Sequence, residues 1–260
     1  MNIDFYLDID TPIHRLDGRT KILIFLASFV ALVLFENPLF ILPIALLILL
    51  VNFVARAWVN IWRIRFLLFL LTVTSVIMWN IFASGETDLF WFFDLESLLY
   101  SIARTMLILL MIISGLNLLS TTRNEELVLA MIKLGMPYRV GFAISTALRM
   151  VPTIASSIFT ISQAQKSRGL DLDSGGILER LRKFIPILIP VFISTIRDTN
   201  VFGMALESKG FGAREDRSFY LQMTMDRSDL LVLGFCLLVV AVALYLKFAG
   251  FGNIPGLTKF

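Results

Sequence analysis

Apolar runs of span length alternate with short polar breaks over the first 119 residues, and one more run follows after residue 229. A membrane-crossing helix needs about 20 mostly apolar residues. Five stretches meet that need: about 19–36, 38–55, 66–83, 101–119 and 230–249. Arg19 and Lys21 at the head of the first are expected to snorkel to the interface, and Glu36-Asn37-Pro38 reads as the tight turn between the first two. Between 120 and 229 the pattern changes to helical periodicity with charges interspersed. Thr122 and Glu125 have capping-box spacing before Leu127, Met131 and Leu134, and Gly135 and Pro137 stop that helix. A second helix is predicted over about 138–168 and a third over about 177–209, joined by the break Asp171–Gly176.

The charges orient these elements. Arg15, Arg19 and Lys21 precede the first run, and Arg56, Arg63 and Arg65 lie between the second and third. Positions 84–100 hold Glu86, Asp88, Asp94 and Glu96 and no Lys or Arg, whereas 120–229 holds 14 Lys and Arg. Cytoplasmic loops are enriched in Lys and Arg. The N-terminus and 120–229 are therefore expected inside, with 84–100 and the C-terminus outside. Trp58 and Trp62 on one side, and Trp91, Phe92 and Phe93 on the other, suit interfacial belts. Arg104, near the start of the fourth run, is expected to snorkel to the outer headgroups.

The stretches 140–161 and 184–206 are apolar enough to raise a second possibility, that they also cross. Each contains charge (Arg149; Arg197 and Asp198) and has basic residues on both flanks, which favours amphipathic helices against the membrane. The expected fold is an all-α integral membrane protein of about five spans with a cytoplasmic domain of long amphipathic helices. Its parts are a four-span unit at 1–119, an inserted domain at 120–229, and a last span and tail at 230–260.

Composition adds mainly exclusions. Hydrophobic residues make up 57% of the 260, above the usual share of about 45–50% for soluble domains. The start MNIDFYLDID is acidic, so no secretory leader is expected. The single cysteine, Cys236, reads as a packed thiol, and the single histidine, His14, as structural. No G-x-x-x-x-G-K-[ST] loop occurs. No clustered metal ligands are evident, and Asp171 with Asp173 reads as a solvated linker. Neither catalysis nor a metal is expected of the chain, and no nucleic-acid partner. An integral-membrane enzyme or an assembly factor without an energised role stays open as the alternative.

One pattern is written twice. Ala164, Ser167, Arg168 and Gly169 are followed by Leu170; Ala205, Ser208, Lys209 and Gly210 are followed by Phe211, at the same spacing. Each copy ends a predicted helix. A glycine that terminates a helix and a cation at the negative end of its dipole explain one copy without further function. Two copies in matched contexts present two equivalent basic helix tips.

The chain resembles the transmembrane T component of energy-coupling factor (ECF) transporters, the group that includes cobalt-transport permease subunits. Carrying the resemblance are TPIHRLDGRTK at 11–21, LGMP at 134–137, LRMVP at 148–152, AQKSRG at 164–169 and ALESKGFG at 205–212. The family's motif is usually Ala-Arg-Gly; here Ser stands at 167 and 208, and Lys at 209 offers a point charge rather than a planar fork. The resemblance implies a coupling scaffold in a prokaryotic cytoplasmic membrane that performs no hydrolysis itself. It implies two ATP-binding-cassette subunits that bind ATP and Mg, and a small membrane subunit that binds a vitamin or a transition-metal ion. The two tips, Ala164/Ser167/Arg168/Gly169 and Ala205/Ser208/Lys209/Gly210, would each seat in one ATPase. Met150, Ile154, Ile158, Phe192, Ile196 and Met204 would face the substrate-binding subunit.

The charge alternation sets a topology test. In a Cys236→Ala background, Ser84→Cys is expected to react with an impermeant maleimide added outside, and Ser174→Cys only after the inner face is opened. Labelling of position 174 from outside refutes the assignment.

Overall fold

The computed structural model describes residues 6–84, 88–90, 93–171, 174, 176–213, 225–252 and 258–259. Glu86, Trp91, Phe92, Asp173 and Gly175 lie outside them. The chain is all-α, with nine helices among the described residues; the remaining regular structure is two antiparallel ribbons of two or three residues a strand. It divides into two compact units, 1–136 with 223–260, and 137–222.

The first unit contains α1 (Gly18–Val33), α2 (Pro38–Ala55), α3 (Trp58–Arg63), α4 (Arg65–Phe82), α5 (Leu95–Thr121), α6 (Asn124–Lys133) and α9 (Arg227–Phe248). β1 (Ala83–Ser84) pairs with β4 (Thr258–Lys259), and β2 (Asp88–Phe90) with β3 (Phe93–Asp94). Local chemistry sets the starts. Asp17 caps α1 by accepting from Arg19 N at 2.8 Å, and Asn37 caps α2 by accepting from Leu39 N at 3.0 Å, with Pro38 in the first turn. The expected cap of α6 does not form. Its N-cap is Arg123, drawn outward to Asp8 at 3.0 Å and over the Tyr6 ring, while Thr122 is buried.

α5 is the axis of this unit, packed by α1, α2, α3 and α4. Ala31, Leu32, Ile41, Ala45 and Ile48 of α1 and α2 close on Ala103, Leu107 and Leu110 of α5. A row of polar side chains runs along the same helix. Thr105 donates to Ser75 Oγ (3.0 Å), Ser114 pairs with Ser28 (2.7 Å), Asn117 Oδ1 accepts from Asn52 (2.7 Å), and Ser120 Oγ accepts from Asn60 (2.7 Å). Each bond reaches a different neighbour: α4, α1, α2 and α3. α9 packs on α1, and a cavity of about 380 Å³ lies among α1, α2, α5 and α9, with Phe25, Ile48 and Cys236 in its wall.

One buried cation differs from expectation, and a half-buried one has partners the sequence does not show. Lys21 does not snorkel: it is 4% exposed, and its Nζ donates to His14 O (2.9 Å) and Thr121 O (2.8 Å). Those two carbonyls replace water, so the ammonium has no need to reach the interface. Arg104 lies between the Tyr100 and Trp79 rings, 5.0 and 5.9 Å from their centroids, with Glu36 at 3.7 Å. His14 bonds Thr11 at 2.6 Å, and burial pushes its pKa below the usual imidazole value.

The second unit holds α7 (Tyr138–Ser167) and α8 (Ile177–Ser208). It is narrower than the 120–229 segment, because α6 belongs with the bundle. Among the described residues, six helices are long and apolar enough to cross a membrane: α2, α4, α5, α7, α8 and α9. α1, at 16 residues or about 24 Å, is shorter than the hydrocarbon thickness of about 30 Å. Large apolar side chains cover the outside of α4 and α9, Phe66, Ile81, Leu230 and Phe248 among them.

Gly252 supplies a test of packing. At φ +88° its carbonyl accepts from both Glu36 N (3.0 Å) and Asn37 N (3.1 Å), at the turn into α2. A Cβ there would run into the buried ring of Phe35, whereas a Cβ on Gly115 meets only Phe25 at ordinary contact. Overpacking costs about 1–3 kcal/mol. Gly252→Ala is expected to lower the thermal midpoint of the detergent-purified chain well beyond Gly115→Ala; equal midpoints contradict the contact.

Candidate functional site

The two repeated motifs end the two helices of the second unit with the same backbone construction. Arg168 and Lys209 are the C-cap residues, at φ/ψ of −87°/8° and −89°/8°. The next residues, Gly169 and Gly210, are left-handed, at φ +91° and +70°. Leu170 N donates to Gln165 O and Phe211 N to Leu206 O, both at 3.0 Å; Gly169 N donates to Lys166 O at 3.0 Å and Gly210 N to Glu207 O at 2.9 Å. This pair of bonds is the Schellman termination.

The termination alone does not mark the site, because α6 and α9 end the same way. Gly135 N and Met136 N bond Ile132 O and Met131 O, and Gly250 N and Phe251 N bond Lys247 O and Leu246 O. Their C-cap residues, however, are Leu134 and Ala249. α2 closes with the same two bonds, Arg56 N to Phe53 O and Ala57 N to Asn52 O, but there the left-handed residue is Arg56 itself. Of the four ends that turn on a glycine, those of α7 and α8 carry a cation at the cap, where it meets the negative end of the helix dipole. Ser167 Oγ turns back to Gln163 O (3.1 Å) and Ser208 Oγ to Ala205 O (2.9 Å). With the hydroxyls occupied, the charged side chains carry the tips: Arg168 with exposed Lys166 two residues back at the end of α7, and Lys209 with exposed Glu207 two residues back at the end of α8. Arg168 and Lys209 are both exposed, and neither is in an ion pair among the described residues. Ala164 and Ala205, one turn back, are exposed and small.

α7 and α8 run antiparallel. Near the end of α7, Gln165 Nε2 donates to Pro186 O at 3.0 Å. Just beyond the end of α8, Phe211 packs on Phe142 and Tyr138 at the start of α7, with ring centroids 4.4 and 6.3 Å away. The pairing therefore keeps each set of four motif residues together and holds the two sets at opposite ends, about 40 Å apart by helix rise.

The six apolar residues expected on the binding faces divide. Ile158, Phe192, Ile196 and Met204 are exposed, Phe192 at 65%. Met150 and Ile154 are half-buried, on the same stripe of α7 as Gln165, which faces α8. Sequence reasoning missed Val151, Phe159 and Leu188, at 59%, 67% and 65% exposure, although helical spacing from Leu148 and Ile185 pointed to them. Among the described residues no three His, Cys, Asp or Glu converge as metal ligands. What the unit offers is an exposed cation at each of two capped tips and long apolar faces between them.

An all-α chain with several helices of span length and apolar composition, α7 and α8 among them, defines a multi-pass membrane protein. The cobalt transport protein family, CbiQ, matches residues 10–220, and the chain belongs to it. Among curated relatives, the energy-coupling factor transporter transmembrane protein EcfT of Thermanaerovibrio acidaminovorans is 30% identical, over 93% of this chain and 94% of that one. The protein of the same name from Lactococcus lactis is 30% identical, over 93% and 96%, and that from Staphylococcus aureus 31%, over 94% and 96%.

The cap and the charge can be separated. Gly169→Ala and Gly210→Ala each place a Cβ in the left-handed region, at a cost of about 1 kcal/mol. Faster hydrogen exchange at the Leu170 and Phe211 amides is expected from them. Arg168→Ala, whose side chain makes none of the cap bonds, is expected to leave that exchange within twofold of wild type.

Proposed function

We propose that the chain is the transmembrane coupling subunit of an ATP-driven ECF-type importer. It joins two cytoplasmic ATP-binding-cassette subunits, which bind ATP and Mg and carry out hydrolysis, to a small membrane subunit that binds a vitamin or a transition-metal ion. The chain performs no covalent chemistry.

The observation that carries this reading is the pair of matched tips. Two caps of the same kind, each with an exposed cation at the C-cap and a small exposed residue one turn back, stand at opposite ends of a single helix pair. That arrangement suits two equivalent receptors set well apart, as an ATPase dimer provides. The names of the relatives point the same way. Arg168 offers a bidentate fork and Lys209 a point charge, so the first tip is the more demanding in geometry. A hydrogen bond to a charged group contributes about 1.5–3 kcal/mol, enough for two tips to hold a partner that must also move.

The basic flanks support a cytoplasmic place for α7 and α8. Arg139 and Lys166 lie near the two ends of α7; Arg180, Arg182 and Lys183 lie near one end of α8, with Lys209 at the other. Charge at both ends suits helices lying against the inner face, where a crossing would export one basic end. Their exposed apolar faces, Phe159, Phe192 and Met204 included, are the surface for the substrate-binding subunit. Flexible methionine and broad aromatic contacts allow repacking as the ATPases close and open.

Charge reversal decides between coupling and capping. Arg168→Glu and Lys209→Glu are each expected to weaken co-purification of the ATPase subunits more than tenfold, on a cost of about 2–5 kcal/mol for a lost interfacial charge. Uptake is scored with radiolabelled Co²⁺ and a panel of B vitamins in cells expressing the neighbouring genes, and the double variant is expected to abolish it. Lys209→Arg is tolerated. Arg182→Glu, outside the motifs, has little effect; if it harms as much as Arg168→Glu, the effect is general surface electrostatics. If both motif reversals leave docking and uptake intact, the tips are caps only.

A further inference from the structure

α8 carries two prolines four residues apart in its interior, Pro186 and Pro190. A proline has no backbone N–H, so the carbonyl four residues before it loses its helical donor. Pro190 therefore leaves Pro186 O without the bond that a regular turn supplies. That oxygen is the one Gln165 Nε2 of α7 reaches, at 3.0 Å. The two helices meet here at a place that the sequence of α8 has opened. A regular turn offers a neighbour only carbonyls already bonded within their own helix. The nearest other carbonyl vacated in this way is that of Arg182, about one helical turn away, opposite Pro186 itself. A slip of one or two residues along α8 thus loses the bond without finding another vacated acceptor.

The same glutamine closes the first tip. Its carbonyl accepts from Arg168 N at 3.1 Å and from Leu170 N at 3.0 Å. Its main chain builds the cap and its side chain ties the cap to α8. The second tip is held differently. Leu206 stands in the matching column of the motif and accepts the matching bonds, from Lys209 N at 3.2 Å and Phe211 N at 3.0 Å, but its side chain has no donor. There the contact is made by Phe211 on Phe142 and Tyr138. Apolar contact is non-directional, whereas a hydrogen bond to one vacated carbonyl specifies distance and angle.

We propose that Gln165 is a positioning residue. Its amide, bound to the carbonyl that Pro190 vacates, fixes where along α8 the tip carrying Arg168 stands, and so where Arg168 meets its partner. The inference rests on the coupling reading and adds to it a register device for one of the two tips. It gives a role to an uncharged residue of the motif and to a proline well inside the other helix.

Register is measured on the detergent-purified chain and docking on the complete complex. In a Cys236→Ala background, spin labels at Gln163→Cys and Val201→Cys, both exposed sites, report the spacing of α7 and α8 by pulsed electron resonance. Val201 lies about 22 Å along α8 from Pro186 by helix rise. Gln165→Leu, which copies the residue of the second tip, is expected to at least double the width of the distance distribution. Gln165→Asn keeps the amide one methylene short and is expected to do the same. Pro190→Ala returns an N–H to Pro186 O, and in that background the broadening caused by Gln165→Leu is expected to fall by at least half. In the complex, Gln165→Leu is expected to weaken co-purification of the ATPase subunits about fivefold, the contribution of one hydrogen bond. That loss is expected in full beside Lys209→Ala and is expected to vanish beside Arg168→Ala, because the glutamine acts through the arginine. The proposal is overturned if Gln165→Leu keeps the wild-type distribution, or if Pro190→Ala leaves its effect undiminished. It is also overturned if docking is unchanged while the distribution broadens, or if the docking loss persists beside Arg168→Ala. A wild-type chain that recruits no ATPase removes the coupling reading itself, and the label distances then decide the register on their own.

Discussion

Hydrocarbon offers no partner to a polar group, and the bundle is organised by how it meets that condition along α5. An apolar helix gains little by packing on another apolar helix when lipid is the alternative. Side-chain hydrogen bonds between helices are specific where apolar contact is not. Ser28, Asn52, Asn60 and Ser75 each find one partner on α5, spaced so that Thr105, Ser114, Asn117 and Ser120 serve four different neighbours. Rotating α5 out of register would leave several amides and hydroxyls unpaired at once. The apolar contacts around Leu107 and Leu110 fill the space this register defines.

The second unit is built on the opposite logic. Its two helices share a few contacts near their ends and leave long apolar faces uncovered. α7 is 30 residues and α8 is 32, lengths that a helix pair of modest contact sustains because each helix has a firm stop. The Schellman turns limit fraying at the ends that carry Arg168 and Lys209. A recognition group on a fraying terminus would be ordered anew at every encounter; on a capped terminus it is already in place.

Much of this was legible in the chain. The limits of α2, α4, α7, α8 and α9 fall within a few residues of those read from hydropathy and from Gly, Pro and Asn punctuation. The paired motifs were found from spacing alone, since their caps depend on residues adjacent in sequence. What escaped is long-range. Lys21 was read as a snorkelling residue because a lysine beside an apolar run looks the same whether it meets water or a carbonyl 100 residues away. The partners of Arg104 are equally out of reach of sequence reading, since they lie on Tyr100, Trp79 and Glu36. The capping box at Thr122 was a local signal defeated by a distant one, the pull of Asp8 and Tyr6 on Arg123. Asp226 and Asp229 do carry cap spacing, D-x-x-D, yet nothing in the sequence shows that the second carboxylate also accepts from Asp17 N, at 2.9 Å. The opposite placement of the two tips required the contacts of Gln165 and Phe211.

The tie between Asp17 and Asp229 also bears on the order in which the protein is made. During synthesis at about 5–20 residues per second, α1 emerges long before its partner on α9. More than 200 residues separate the two ends of that bond. Until α9 arrives, the backbone donor of Asp17 is served by water, and the face of α1 that α9 will cover is open to lipid. α7 and α8 are therefore synthesised before the first unit is closed. Closure of α9 onto α1 is among the last long-range contacts of the first unit to form.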